Sequence, residues 1–230
     1  MVRRPSLPTY RHASAKRDNE TESDDRRRKE SSETAMSFDR SVLTRPSVEV
    51  APLLLGAVLS RDGVSVRITE VEAYLGESDP GSHAFRGITK RTATMYGPPG
   101  HVYAYFSYGM HVCANVVCSP EGEASAVLVR GGEIVAGLME ARLRRPTAEN
   151  DRDLARGPAR LTKALGIALS DDGADLNTAP FDLELPERPA SFLAGPRTGV
   201  GGDGGGVAFP WRFWMPGEAS VSPYRRHPPS

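Results

Sequence analysis

The 230-residue chain has little cysteine, no long apolar run and no excess of either charge. Two cysteines, Cys113 and Cys118, are too few for a disulfide-stapled secreted scaffold and fit a reducing compartment. No stretch approaches the roughly 18 apolar residues of a spanning helix, which excludes an integral helical membrane protein. The opening MVRRPSLPTYRHASAKR has no apolar h-region and no amphipathic period, so neither secretion nor organelle targeting is expected, and a cytoplasmic, bacterial-type location is. The phosphate-cradling G-x-x-x-x-G-K-[ST], the dinucleotide G-x-G-x-x-G after a strand and the nucleophile elbow G-x-S-x-G are all missing. Lys90 and Lys163 lack the apolar setting that would depress a lysine pKa, so a Schiff-base nucleophile has no support.

What is present is unevenly placed. The 29 basic and 29 acidic groups balance, but residues 1–34 hold nine basic and seven acidic groups with almost no aliphatic residues. Such a segment cannot bury enough apolar surface to offset its ordering entropy, and a disordered tail over residues 1–40 is expected. A mean hydropathy of −0.40 agrees with that. Between Pro80 and Pro120 there is no Asp or Glu, while Arg86, Lys90, Arg91 and three of the five histidines lie there. Five of the seven tyrosines fall between Tyr74 and Tyr108. An acid-free, aromatic stretch suits backbone attraction plus base stacking. A Tyr-rich strand on a core explains the same composition equally well.

The periodicity predicts strands over Val64–Leu75, His101–Phe106, His111–Cys118, Ala124–Arg130 and Trp211–Met215. It predicts a helix over Glu133–Arg144, and another that starts at Gly157-Pro158 and stops at Gly166. The folded body starts near Val42–Val48, and Gly199–Gly206 reads as a flexible loop. Strands first and helices later give one α+β domain with a largely antiparallel sheet.

Glu70, Glu72 and Tyr74 share one face of the first strand. Carboxylates at i and i+2 stand about 7 Å apart, close to the separations used in sugar hydrolysis. An exposed polar strand face explains the spacing more simply. Tyr74 beside them and His83 in the following loop favour a functional reading, because a Glu buried among aromatics acquires a raised pKa suited to a general base. His111, Cys113 and Cys118 lack a fourth ligand and a paired C-x₂-C unit, so buried structural thiols are expected and a metal is not.

The segments TEVEAY (69–74), SHAFRG (82–87), MYGPPGHVYAYFSYGMHVCANVV (95–117), AVLVRG (126–131) and RGPARLTKALGI (156–167) together resemble the alkyladenine (3-methyladenine) DNA glycosylase family. The resemblance runs over about Val48–Ser222 and implies a single glycosylase domain, here residues 41–225, with a curved antiparallel sheet and surrounding helices. It implies a monofunctional, monomeric enzyme that needs no cofactor or metal, binds no membrane and acts on double-stranded DNA carrying a damaged purine. By the same resemblance Glu72 matches the general base, and Arg130 a residue beside the catalytic water. Tyr74, His83, Tyr103, Tyr105 and Asn115 match the pocket for the flipped base, and Tyr108 the side chain that fills the gap in the duplex. In the Arg197-Thr198-Gly199-Val200 segment a backbone carbonyl would help hold the water. Arg86, Lys90 and Arg91, with Arg152, Arg156 and Arg160 behind them, are the phosphate-contact candidates, and ordinary solvated charge explains them equally well. Thr92 stands where relatives commonly have Asn, Tyr96 where Phe is usual and Thr198 where an aliphatic residue is usual, and Gly201–Gly206 looks expanded. Two rival readings are a non-catalytic binder of damaged DNA and a hydrolase of free nucleosides. The intact Glu72-Ala73-Tyr74 argues against the first, and the acid-free Tyr-rich stretch against the second.

Overall fold

A computed structural model of the protein describes residues 38–107 and 109–228. The expected tail lies outside these residues as far as Ser37, and so does Tyr108. The eleven-residue strand β2 (Val64–Tyr74) organises the fold. It follows β1 (Val58–Arg61) through a two-residue turn, Asp62-Gly63, with φ of 45° and 78°. Positive φ at both positions is the geometry that matches strand twist, and an Asp-Gly pair adopts it at low cost. Along one edge β2 pairs antiparallel with β5 (Ala126–Ala136). Along the other it pairs first with β1 and then, over Glu70–Glu72, with β8 (Arg212–Trp214). β3 (Val102–Ser107) and β4 (His111–Val117) form a hairpin whose β4 continues the sheet onto β5. Two short strands, β6 (Phe181–Glu184) on β1 and β7 (Leu193–Gly195) on β8, complete a curled, wholly antiparallel sheet.

The helices are few and short: α1 (Ser47–Val50), α2 (Leu138–Arg144) and α3 (Pro158–Leu165). α3 opens on Pro158, whose missing N–H has no partner to lose there, and closes on Gly166 at φ 73°. Its Leu161, Ala164 and Leu165 are fully buried, and Thr162 Oγ1 donates to the Val112 carbonyl of β4 at 2.7 Å. Val64, Val66 and Ile68 point into the main core, but beyond them Val71 and Ala73 do so. The inward phase therefore changes from even to odd residues. Pairing with β5 slips between Ile68 and Glu70 and again between Glu70 and Val71, a bulge that turns Glu70 and Glu72 out of the apolar core.

The α+β class, the antiparallel sheet and the main strands agree with the sequence. The helix expected over Glu133–Arg144 does not form over its first five residues. β5 runs on to Ala136, because Val66 and Arg67 of β2 offer a ladder to Ile134 and Glu133, and the helix starts only at Leu138. Among the described residues no helix is long and apolar enough to cross a membrane.

Candidate active site

Glu70 and Glu72 are both fully buried, so the exposed polar face is overturned. Strands on both sides of β2 enclose them. Glu72 Oε1 accepts the Thr198 backbone N–H at 2.6 Å, and its Oε2 accepts the Tyr74 hydroxyl at 2.8 Å and Arg130 Nη1 at 3.2 Å. Tyr74, Arg130 and Thr198 all line a cleft of about 1100 Å³, so Glu72 stands one side-chain layer behind its wall. Burial first and the Glu72 charge second push the Tyr74 hydroxyl far above its ordinary pKa, which keeps it a donor. Arg130 Nε also donates to Glu70 Oε1 at 2.9 Å. Burial works against its charge, but Glu72 and Glu70 outweigh that and hold its pKa above the ordinary value.

Glu70 is held differently. Arg212 Nε and Ser222 Oγ donate to its Oε1 at 2.7 and 2.9 Å, and the Ser222 N–H to its Oε2 at 2.7 Å. Burial alone raises its pKa, yet Arg130, Arg212 and the Ser222 N–H bring it below the ordinary carboxylate value.

The cleft narrows to a recess of about 40 Å³ lined by Tyr74, His83, Met95, Tyr103, Tyr105 and Asn115. All five of the expected pocket residues thus meet at one place. Tyr103 and Tyr105 stack with centroids 5.4 Å apart, as i and i+2 on β3 should, and His83 meets Tyr105 edge-on at 4.6 Å. Asn115, opposite Tyr103 on β4, donates Nδ2 to the Tyr103 carbonyl at 2.9 Å. Arg91 Nη2 contacts His83 Nε2 at 3.1 Å, and His83 Nδ1 contacts the Tyr103 hydroxyl at 3.2 Å, a chain that fits a neutral ring protonated at Nδ1. Burial against these neighbours and then the Arg91 charge lower the His83 pKa to about 4.

The basic candidates separate. Arg86, Lys90 and Arg91 are all exposed, and of the three Arg91 lines the cleft, 5.4 Å over the Tyr105 ring. Arg152, Arg156 and Arg160 converge on Asp153 at 3.6–3.9 Å, and Arg156 Nε is also bound to the Val221 carbonyl, which makes it part of the scaffold. Thr92 is buried and its hydroxyl accepts the Thr89 N–H at 2.8 Å, so it shapes a turn rather than facing solvent. Tyr96 donates its hydroxyl to Glu77 at 3.1 Å. Cys113 and Cys118 are both buried, and among the described residues no three potential metal-ligating side chains cluster.

Sequence reasoning passed over the support behind the pocket. Arg197 is fully buried, paired with Asp79 at 2.6 Å and bonded to the Ala73 and Gly204 carbonyls. Its guanidinium lies 4.6 Å from the Tyr74 ring and 5.2 Å from that of Trp211, so it fixes Tyr74 and the turn carrying the Thr198 N–H together. Nothing local marks Asp79, Arg212 and Ser222 for this role, since the charged partners Arg197 and Glu70 lie more than a hundred positions away.

A carboxylate held at three points behind a basic, aromatic cleft can take a proton from water at the wall and oppose positive charge developing before it. Comparison with known proteins shows the family. Residues 41–219 match the model of the family described as methylpurine-DNA glycosylase. A protein of Leifsonia xyli subsp. xyli named "Putative 3-methyladenine DNA glycosylase" is 64% identical over 200 residues, covering 83% of this chain and 94% of its own. Proteins of the same name from Streptomyces avermitilis and Cutibacterium acnes are 54% and 48% identical, covering 83% and 78% of this chain and 92% and 96% of their own. With most of its length matched, and with a glutamate, an arginine and an aromatic recess brought to one cleft, the chain belongs to the methylpurine-DNA glycosylase family.

Proposed function

We propose that this DNA glycosylase hydrolyses the N-glycosidic bond of alkylated or deaminated purines, such as 3-methyladenine, flipped out of duplex DNA. The observation that carries the reading is Glu72, fully buried yet bonded, among the described residues, only to Tyr74, Arg130 and Thr198 of the cleft wall. The product is an abasic site, without strand cleavage, as the first step of base-excision repair. Residues 41–225 act as one glycosylase domain and as a monomer.

A stacked nucleotide cannot present its glycosidic bond to a recess, so it leaves the duplex at a cost of a few kcal/mol, less when it is damaged. Stacking on aromatic faces returns about 1–3 kcal/mol per base. Tyr74, Tyr105 and His83 supply those faces, and Tyr108 fills the gap left behind. The recess of about 40 Å³ admits little more than a water as it stands, so the His83–Tyr105 contact opens to take a purine. A neutral His83 adds no charge of its own against a cationic base such as 3-methyladenine, and cation–π attraction to the tyrosines favours it. Asn115, which lines the recess, rejects the exocyclic amine of guanine.

Glu72 then takes the proton of a water attacking C1′, and its charge stabilises the oxocarbenium-like sugar. Arg130 keeps the carboxylate oriented beside that water. A cationic base leaves without protonation. Release of 3-methyladenine from alkylated duplex DNA by the wild type, against Glu72→Gln, tests the reading. Loss of about 10²–10⁴ in rate with lesion binding retained supports it. Tight lesion binding by a wild type that releases nothing would favour a damage binder.

A further inference from the structure

The last described stretch of the chain is anchored beneath the site and then crosses its mouth. Ser220 Oγ bonds Thr69 Oγ1 at 2.9 Å, the Val221 carbonyl accepts Arg156 Nε at 2.9 Å, and Ser222 gives both its N–H and its hydroxyl to Glu70. Beyond Pro223 the chain emerges to solvent. There the Gly199 N–H donates to the Arg225 carbonyl at 3.0 Å, tying the arm to the turn that carries Thr198. Arg225, Arg226 and His227 are exposed and line the cleft of about 1100 Å³.

The charge of that cleft is one-sided. Among the described residues Arg91, Arg130, Arg225 and Arg226 line it and no Asp or Glu does. Arg130 is committed to Glu70 and Glu72, and Arg91 to His83. Neither arginine of the arm joins an ion pair among the described residues. The arm also lies beyond residue 219, where the family match ends. Two uncommitted guanidiniums on an anchored backbone, at the rim of a cleft without acids, offer what a phosphodiester needs: charge, forked donors and fixed position.

We propose that Arg225 and Arg226 form a C-terminal clamp that grips phosphates of the DNA backbone beside the damaged nucleotide. The inference rests on the glycosylase reading for its ligand. Neutralising a phosphate contributes about 0.9 to the slope of log affinity against log salt, so two contacts contribute about 1.8. The test compares the full chain, the double variant Arg225→Gln/Arg226→Gln and a chain ending at Pro223. Each binds undamaged and 3-methyladenine-containing duplexes across a salt series, and single-turnover release is followed at saturating enzyme. The expected result is weaker binding to both duplexes, a salt slope smaller by about 2, and, for the double variant, an unchanged rate of release at saturation. The double variant keeps the Gly199–Arg225 backbone bond, so it remains informative if the shortened chain folds poorly. Unchanged affinity and slope in the double variant would overturn the clamp. Faster release by the shortened chain would also overturn it, by making the arm an obstruction. Binding to undamaged DNA is read independently of release, so a wild type that releases nothing counts against the glycosylase reading and leaves the clamp judged on its slope.

Discussion

Glu70 and Glu72 stand two residues apart on β2, both fully buried and both bound to Arg130, yet their surroundings are of different kinds. Around Glu70 the donors are Arg130, Arg212 and Ser222, and none of the last two touches the cleft. Every donor to Glu72 lines the cleft. Residue type and burial therefore do not distinguish the carboxylate proposed as general base from its neighbour. What separates the two is whether their partners face solvent or core. A buried charge ringed by two guanidiniums stabilises the junction of β2, β5 and β8, while the buried charge held by cleft residues is the one we propose for the chemistry.

Four variants break or sharpen that contrast. Glu72→Gln should cost about 10²–10⁴ in the single-turnover rate and change the urea midpoint far less. Glu70→Gln should do the reverse, destabilising by about 3–5 kcal/mol because Arg130 and Arg212 lose a buried partner; equal losses of rate from both variants would end the distinction. The second effect depends on pH. The Glu70 pKa is lowered in the fold, so its contribution is fully present above the unfolded value of about 4.3 and is lost as pH falls through the folded value. Urea midpoints of wild type and Glu70→Gln should therefore converge below about pH 4. Tyr74→Phe removes one hydrogen bond to a charged group, about 1.5–3 kcal/mol, and should slow release roughly ten- to a hundredfold while the stacking face remains. Thr198→Val should be nearly silent in rate, since only the backbone N–H reaches Glu72. The Thr198 hydroxyl is buried without a partner among the described residues, so a small gain in stability, of about 1 kcal/mol, is expected in thermal melts.

The β3–β4 hairpin was legible because its alternation is clean: Tyr103 and Tyr105 on one face, Val102 and Ala104 on the core. α3 was legible from its Pro158 start and Gly166 stop. β1, β6 and β7 went unread because three or four residues hold too little of a period. The segment Glu133–Ala136 was misread because its apolar spacing serves a helix as well as a strand, and the open edge of β2 decided between them. In the site, the glutamates and the aromatic recess were visible as local patterns. Arg197, Asp79, Arg212 and the C-terminal arm were not, because each gains meaning only from a partner far along the chain.

The sequence by itself determined that Glu70, Glu72 and Tyr74 alternate on one strand, that an acid-free tyrosine-rich hairpin follows, and which family those segments resemble. It did so because alternation is a property of neighbouring backbone dihedrals. Only the tertiary structure decided that the bulge at Thr69–Glu70 turns both carboxylates out of the apolar core, and that Thr198, 126 positions away, reaches one of them. Burial, ion pairing and cleft shape are relations between distant segments, and no local pattern encodes them.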